Sequence, residues 1–303
     1  SLPEDQKEKV YKDKFLIDIE SVEVTSKYEP NPLLQEHIDS YKKIFEAKLG
    51  VEVGYTEVDF ETTFSKIRTS EQNSTVFLSD VIRAFAETEI MLLNAGAIRS
   101  DCLFPKGYLR LKDLMAMIPH PDLLRKVKLT GKQVYQALEN AVSKYPIYEG
   151  RFCVCSGLTF AFDPKKEPMN RVPLESIYVK GRGPLKLDEE YTVAIKNFLA
   201  GGKDGYDVFT KGEFLNDEAT ATPMNECIFE FFDSINRPEV LEALVAKGFK
   251  ISNFEGIDET KRHHGLKPSI VKAIVDLVYD VKEKDGKRFI SINPKIEGRV
   301  TIL

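Results

Sequence analysis

The chain has 303 residues, 42% hydrophobic and 30% charged, enough apolar content for one large domain or two ordinary ones with real cores. Its formal net charge of −5 argues against a general nucleic-acid binder, which would carry a clustered basic excess. No apolar run reaches the roughly 18 residues needed to span a bilayer, and the opening SLPEDQKEKVYKDKF is too charged for a signal peptide.

A strand is predicted in FLIDIESVEVTS, followed by a helix over 31–50. Pro32 suits the helix's first turn, Leu34, Ile38, Tyr41 and Phe45 recur at helical spacing, and Gly50 can close it. A second helix is expected near Asn73–Ala86, with Asn73 or Ser74 as N-cap and Leu78, Val81, Ile82 and Phe85 on one face. The apolar strand Ile90-Met91-Leu92-Leu93 leads into NAGAIRSD. The run DLMAMIPHPDLLRKVKLTG then reads as a short helix, a proline-punctuated corner and a strand, and GKQVYQALENAVSKY as an amphipathic helix. Strands follow at GLTFAFD, SIYVKG and YTVAIK, the last running into the glycine-rich loop NFLAGGKDGYDVF. Beyond residue 222, helices are expected over 224–234, 238–247 and 268–283, with closing strands in KRFISINP and GRVTIL. Alternating helices and strand-rich runs make this a mixed α/β or α+β protein, not a bundle or a sandwich.

Four cysteines are present, and the C-x-C at Cys153 and Cys155 has no zinc or thioredoxin spacing. It places two thiols on one face of a strand as small core hydrophobes, which leaves the compartment open. The sequon Asn73-Ser74-Thr75 matters only in a secreted protein. Among four histidines, the pair His263-His264 sits in a basic loop that reads as solvated, and none has metal-ligand spacing. No phosphate-binding P-loop and no G-x-S-x-G nucleophile elbow occurs, so nothing identifies a self-sufficient active site.

Two loops carry ligand-binding signals. In NAGAIRSD, small residues allow close approach of the backbone to a ligand, Asn94 supplies an amide and Arg99 a forked cation suited to an anion. In NFLAGGKDGYDVF, Gly201, Gly202 and Gly205 permit positive φ, Asp204 can accept from vicinal hydroxyls, and Phe198 can offer a flat face to a base. Each alone is equally a plain turn, with a solvated Arg99 or a core Phe198. Both follow apolar strands, so both can lie on one edge of a sheet, where α/β proteins bind ligands.

Five blocks, IRTSEQN…D (67–80), NAGAIR (94–99), IPHPD…VKLTG (118–131), EGRFCVCSG (149–157) and NFLAGGKDGYDVF (197–209), occur in order at fitting distances. Together, over roughly residues 55–215, they resemble the C-terminal domain of the 5'-nucleotidase family, which includes ecto-5'-nucleotidase and the periplasmic UDP-sugar hydrolases. The resemblance implies layered sheets with flanking helices over 51–303, with 222–303 a branch-specific tail that returns as a strand through PKIEGRV. It implies that residues 1–50 are the exit strand and linker helix from an N-terminal metallophosphoesterase domain outside this chain. That domain would hold two divalent metal ions, its D-x-H and G-N-H-[DE] motifs being absent here. The implied partners are a nucleotide or nucleoside and that N-terminal domain of the same polypeptide. By the same resemblance no residue here is catalytic and none binds metal. Arg68 and Arg99 match arginines on the phosphate and ribose side, Asn94 an asparagine that reads the base, Asp204 the acceptor for ribose hydroxyls, and Phe198 one of two stacking aromatics. His120 and Asp122 complete the substrate-binding set.

Three of the blocks depart from the family pattern. His120 stands in Pro119-His120-Pro121 where members carry P-F-G, and a histidine offers a smaller, titratable stacking face. Ala95 and Ala97 replace two glycines, which is expected to take space from the ligand, and Thr75-Val76 replaces a G-N pair. The fragment alone is expected to bind nucleotide and hydrolyse nothing. The alternative is a non-catalytic interaction protein that retains the fold, its tail either docking a partner or packing on its own domain.

Overall fold

The computed structural model describes residues 9–12, 15–251 and 265–303, so His263-His264 lies outside the described residues. Two compact units divide the chain, 1–48 and 49–303. In the first, Lys9–Lys12 pairs antiparallel with Phe15–Asp18, and the rest of the expected strand, from Ile19 on, is not β-structure. The helix Pro32–Leu49 is capped by the Asn31 side chain, which accepts from the amides of Leu33 and Leu34. Its apolar positions Leu34, Ile38, Tyr41 and Phe45 are all exposed, so helical spacing here does not mark a core face.

The second unit is built around a five-stranded sheet in the order Glu213–Phe214, Leu124–Thr130, Glu190–Lys196, Ile90–Asn94, Cys153–Ser156. All neighbours are antiparallel except Glu190–Lys196 and Ile90–Asn94, which run parallel. Every residue of Ile90–Asn94 is buried, as expected of a strand covered on both faces. Cys153 and Cys155 are buried on the edge strand, and their thiols are free. The helices Asn73–Ala86 and Gly131–Val142 pack on this sheet, with Leu78, Val81, Ile82, Val134 and Leu138 buried.

The N-cap of the Asn73–Ala86 helix is Gln72, not Asn73 or Ser74. Thr75 closes the turn, its hydroxyl accepting from the Gln72 amide at 3.0 Å and donating to the Gln72 carbonyl at 2.7 Å. Asn73 instead ties the helix start to the preceding segment, donating to the Asp59 carbonyl and accepting from the Glu61 amide. The sequon is therefore committed to packing, with Ser74 and Thr75 buried behind it.

The tail packs on its own domain. The helices Met224–Asp233, Pro238–Ala246 and Pro268–Leu277 bury their apolar faces, and Phe231 and Phe232 meet Phe77 with ring centroids 5.2 and 5.8 Å apart. Gly54 is required there, since a Cβ would lie 2.3 Å from the Phe232 ring. The helix expected over 268–283 stops at Leu277, and Asp280–Lys284 forms a hairpin with Lys287–Ile292. Asp285 and Gly286 both have positive φ, the two-residue turn that an Asp-Gly pair favours. Lys287–Ile292 adds parallel to Glu52–Thr56, and Val300–Ile302 parallel to Leu158–Phe162. Glu71 clamps this return, accepting from the amides of Glu297 and Arg299 at 2.7 and 2.5 Å. Among the described residues, no helix is long and apolar enough to cross a membrane.

Candidate functional site

The parallel pair fixes where the site lies. Ile90–Asn94 and Glu190–Lys196 end side by side, so the chain leaves both strands at the same sheet edge. A cleft of about 650 Å³ opens there, within the size range of small-molecule sites. All seven residues singled out in the sequence line it: Arg68, Asn94, Arg99, His120, Asp122, Phe198 and Asp204.

Phe64, on the short helix Phe64–Ile67, carries the cationic end. The Arg68 guanidinium stands 3.9 Å from its ring centroid and that of Arg99 5.8 Å, two cation–π contacts on one ring. Arg68 Nη1 donates to the Tyr148 carbonyl at 3.0 Å, while its buried Nε has no hydrogen-bond partner. Burial, and next the charge of Arg99, lower the Arg68 pKa, with Asp101 and Asp204 opposing. Two cations held this close are set for a ligand that carries negative charge.

Asn94 is 2% exposed, and its Nδ2 donates to Asp204 Oδ2 at 2.6 Å across 110 residues of sequence. The amide expected to read a base is thus first a tether between the two loops. Among the described residues the Asp204 side chain makes this bond through Oδ2 alone, and its carbonyl accepts from Asn140 Nδ2 at 3.0 Å. The segment after Lys196 is not an open glycine loop. It winds through short helical turns at Asn197–Ala200, Lys203–Gly205 and Asp207–Lys211, with positive φ at Gly202 and Gly205 but not at Gly201.

The small residues of NAGAIR act differently from the expectation. Gly96 donates its amide to the Gly150 carbonyl at 2.9 Å, and a Cβ on Gly96 would stand 3.1 Å from Gly150 Cα. Close backbone packing favours glycine there, since a Cβ would need its neighbours to shift by a few tenths of an ångström. Ala95 and Ala97 point into the core, at 0% and 4% exposure, and do not line the cleft. Their methyl groups therefore take no space from a ligand.

The last wall joins Phe198 to the His120 corner. Phe198 is 41% exposed, so it is no core residue, and His120 is an exposed lining residue of the same cleft. Asp122 bridges the two, with Oδ1 accepting from the Phe198 amide at 3.3 Å and Oδ2 standing 3.8 Å from Lys196 Nζ. Sequence reasoning missed Lys196, Phe64, the Tyr148 carbonyl and Gly150. Lys196 was visible as the one cation at the strand end before Asn197-Phe198, but its burial was not. It is 8% exposed, with Nζ 4.4 Å from the Phe198 ring centroid, and burial lowers its pKa against the pull of Asp122 and Asp204. Among the described residues, no group of three or more His, Cys, Asp or Glu side chains could hold a metal ion.

A mixed α/β domain with a cationic, aromatic-walled cleft at the ends of two parallel strands has the layout in which open-sheet proteins commonly bind ligands. The sequence model described as "5'-nucleotidase, C-terminal domain" matches residues 52–211, more than half of the chain, and the chain belongs to that family. It is 31% identical over 199 residues to the trifunctional nucleotide phosphoesterase protein YfkN of Bacillus subtilis, covering 62% of this chain and 13% of that protein. It is 32% identical over 140 residues to the human 5'-nucleotidase, covering 44% of this chain and 24% of that one. The fold matches the crystal structure of a 5'-nucleotidase precursor from Thermus thermophilus with a TM-score of 0.63 at 23% identity, over 89% of this chain and 43% of that one. The chain thus spans under a quarter of the length of these two relatives, and less than half of that solved structure.

Proposed function

We propose that the unit 49–303 is the substrate-binding domain of a 5'-nucleotidase-type phosphoester hydrolase, taking a nucleotide or nucleoside in the cleft. Hydrolysis then belongs to a metal-dependent domain outside this chain, on the same polypeptide. The observation that carries this reading is the convergence of five separate sequence blocks on one cleft whose groups suit the parts of a nucleotide. Arg68 and Arg99, paired over Phe64, hold the phosphate and ribose side with forked, permanently charged donors. Asp204 offers its Oδ1 to the ribose hydroxyls, while Asn94 fixes the other oxygen. Phe198 and His120 wall the base, and Asp122 holds those walls together. The residues of this cleft bind and orient the substrate, which is where a remote binding domain contributes to rate, and no reaction step is assigned to them.

The test is calorimetric titration of the chain with adenosine, AMP and a UDP-sugar, repeated on Phe198→Ala and Arg99→Ala. Binding that each substitution weakens by about tenfold or more is expected, the loss of roughly one good charged or stacking contact. A folded chain that binds none of the three overturns the reading and favours the interaction protein. Metal-dependent release of phosphate by the pure chain would instead overturn the assignment of hydrolysis to another domain.

A further inference from the structure

Resting on that reading of the cleft, we infer that Lys196 selects the base, so that the site takes nucleotides with a ring carbonyl on the base edge, of the 6-oxopurine kind, over 6-aminopurine nucleotides. Three cations line the cleft, and two of them share Phe64 at one end. Lys196 stands instead over Phe198. Its ammonium is 4.4 Å from the Phe198 ring centroid, and its nearest carboxylate oxygen, on Asp122, is 3.8 Å away, beyond hydrogen-bond range. The residue as a whole is 8% exposed. An ammonium on a largely buried side chain, with its carboxylate partner 3.8 Å away, gains from a ligand that brings acceptors within hydrogen-bond range.

The position of the ammonium decides which ligand does so. It stands over the Phe198 ring in the cleft that both residues line, on the face that the proposed base slot offers for stacking. A base that stacks there has to move the ammonium from the ring to its own edge. A 6-oxopurine presents O6 and N7 side by side, two acceptors in the arrangement that lysine and arginine bind in guanine. A 6-aminopurine puts a donor in place of O6 and leaves one acceptor. Asp122, which accepts from the Phe198 amide, has its other oxygen 3.8 Å from the ammonium.

IMP and AMP differ at this edge and share the phosphate, the ribose and the stacking area. Titration of both into the wild-type chain is expected to show IMP binding about tenfold more tightly, within the range of one such paired contact. Lys196→Met keeps the apolar stem and removes the donors. It is expected to bring the two within about twofold, by loss at IMP, while Lys196→Arg keeps the preference. Thermal unfolding of each variant confirms that the comparison is made on folded protein. An AMP preference in the wild type, or an unchanged ratio in Lys196→Met, overturns the role of Lys196 and leaves the nucleotide cleft standing. If neither nucleotide binds, the cleft reading falls, and this inference with it.

Discussion

Replacing Asp204 by alanine tests whether the two loops are held together by their own side chains before any ligand arrives. The Asn94 Nδ2 to Asp204 Oδ2 bond is 2.6 Å long, its acceptor is charged, and Asn94 is 2% exposed. A hydrogen bond to a charged group contributes about 1.5–3 kcal/mol, and its loss leaves a buried amide unsatisfied. Asn94 Oδ1 already lacks a partner, so the variant would bury a side-chain amide with no hydrogen bond at all. Asp204 also has φ of 55°, where alanine is disfavoured by about 1 kcal/mol relative to glycine. Asp204→Ala should therefore lower stability by about 3 kcal/mol, and Asp204→Gly by about 1 kcal/mol less, which separates the backbone from the side-chain effect. Urea unfolding followed by circular dichroism reads both values. In a double-mutant cycle with Asn94→Ala, the coupling energy should be about 1.5–3 kcal/mol. If Asp204→Ala unfolds within about 0.5 kcal/mol of wild type, the tether is not what orders these loops, and the site geometry has another cause.

The tail is expected to be structural, and Phe231→Ala tests that. Phe231 is fully buried, 5.2 Å from Phe77 and 5.1 Å from Phe232, so truncation should cost about 3–5 kcal/mol in the same assay, whereas a detachable tail would leave the main transition unmoved. Acid should loosen the same region. Hydrogen bonds from Lys282 and Lys106 hold the Glu57 pKa at about 2. Because the folded value lies below the unfolded one, this stabilisation is complete above pH 4.5 and is lost as pH falls from there towards 2. Glu57→Gln should flatten the stability profile in that window, and an unchanged acid slope would count against the Lys282–Glu57–Lys106 cluster as its source.

Much of this was legible from local pattern. The helix Asn73–Ala86, the strand Ile90–Asn94 and the helix Gly131–Val142 lie where apolar spacing put them, because each buries a face that the spacing itself defines. Local pattern failed where a partner distant in sequence decided the outcome. The 280–284 run continues a helical pattern from Pro268, yet it becomes a strand because the Asp285-Gly286 turn folds Lys287–Ile292 back onto it. In the Pro32–Leu49 helix the periodic apolar positions are exposed, since spacing shows that residues share a face and not what covers it.

The candidate site divides in the same way. Residue type alone marked Asn94, Arg99, Asp204 and Phe198 as ligand-binding equipment, and the family pattern added Arg68, His120 and Asp122. Sequence by itself therefore determined the chemistry on offer, because charge, ring and hydrogen-bonding groups belong to the residue wherever it sits. Tertiary structure decided the state of each group. Pairing two parallel strands brought Asn94 Nδ2 within 2.6 Å of Asp204 Oδ2, which makes the residue expected to read a base a tether as well. The fold also buried Lys196 against Phe198, with its ammonium 3.8 Å from the Asp122 carboxylate. Desolvation and short-range contact depend on distances that only the folded chain sets, so no reading of residue types could have supplied them.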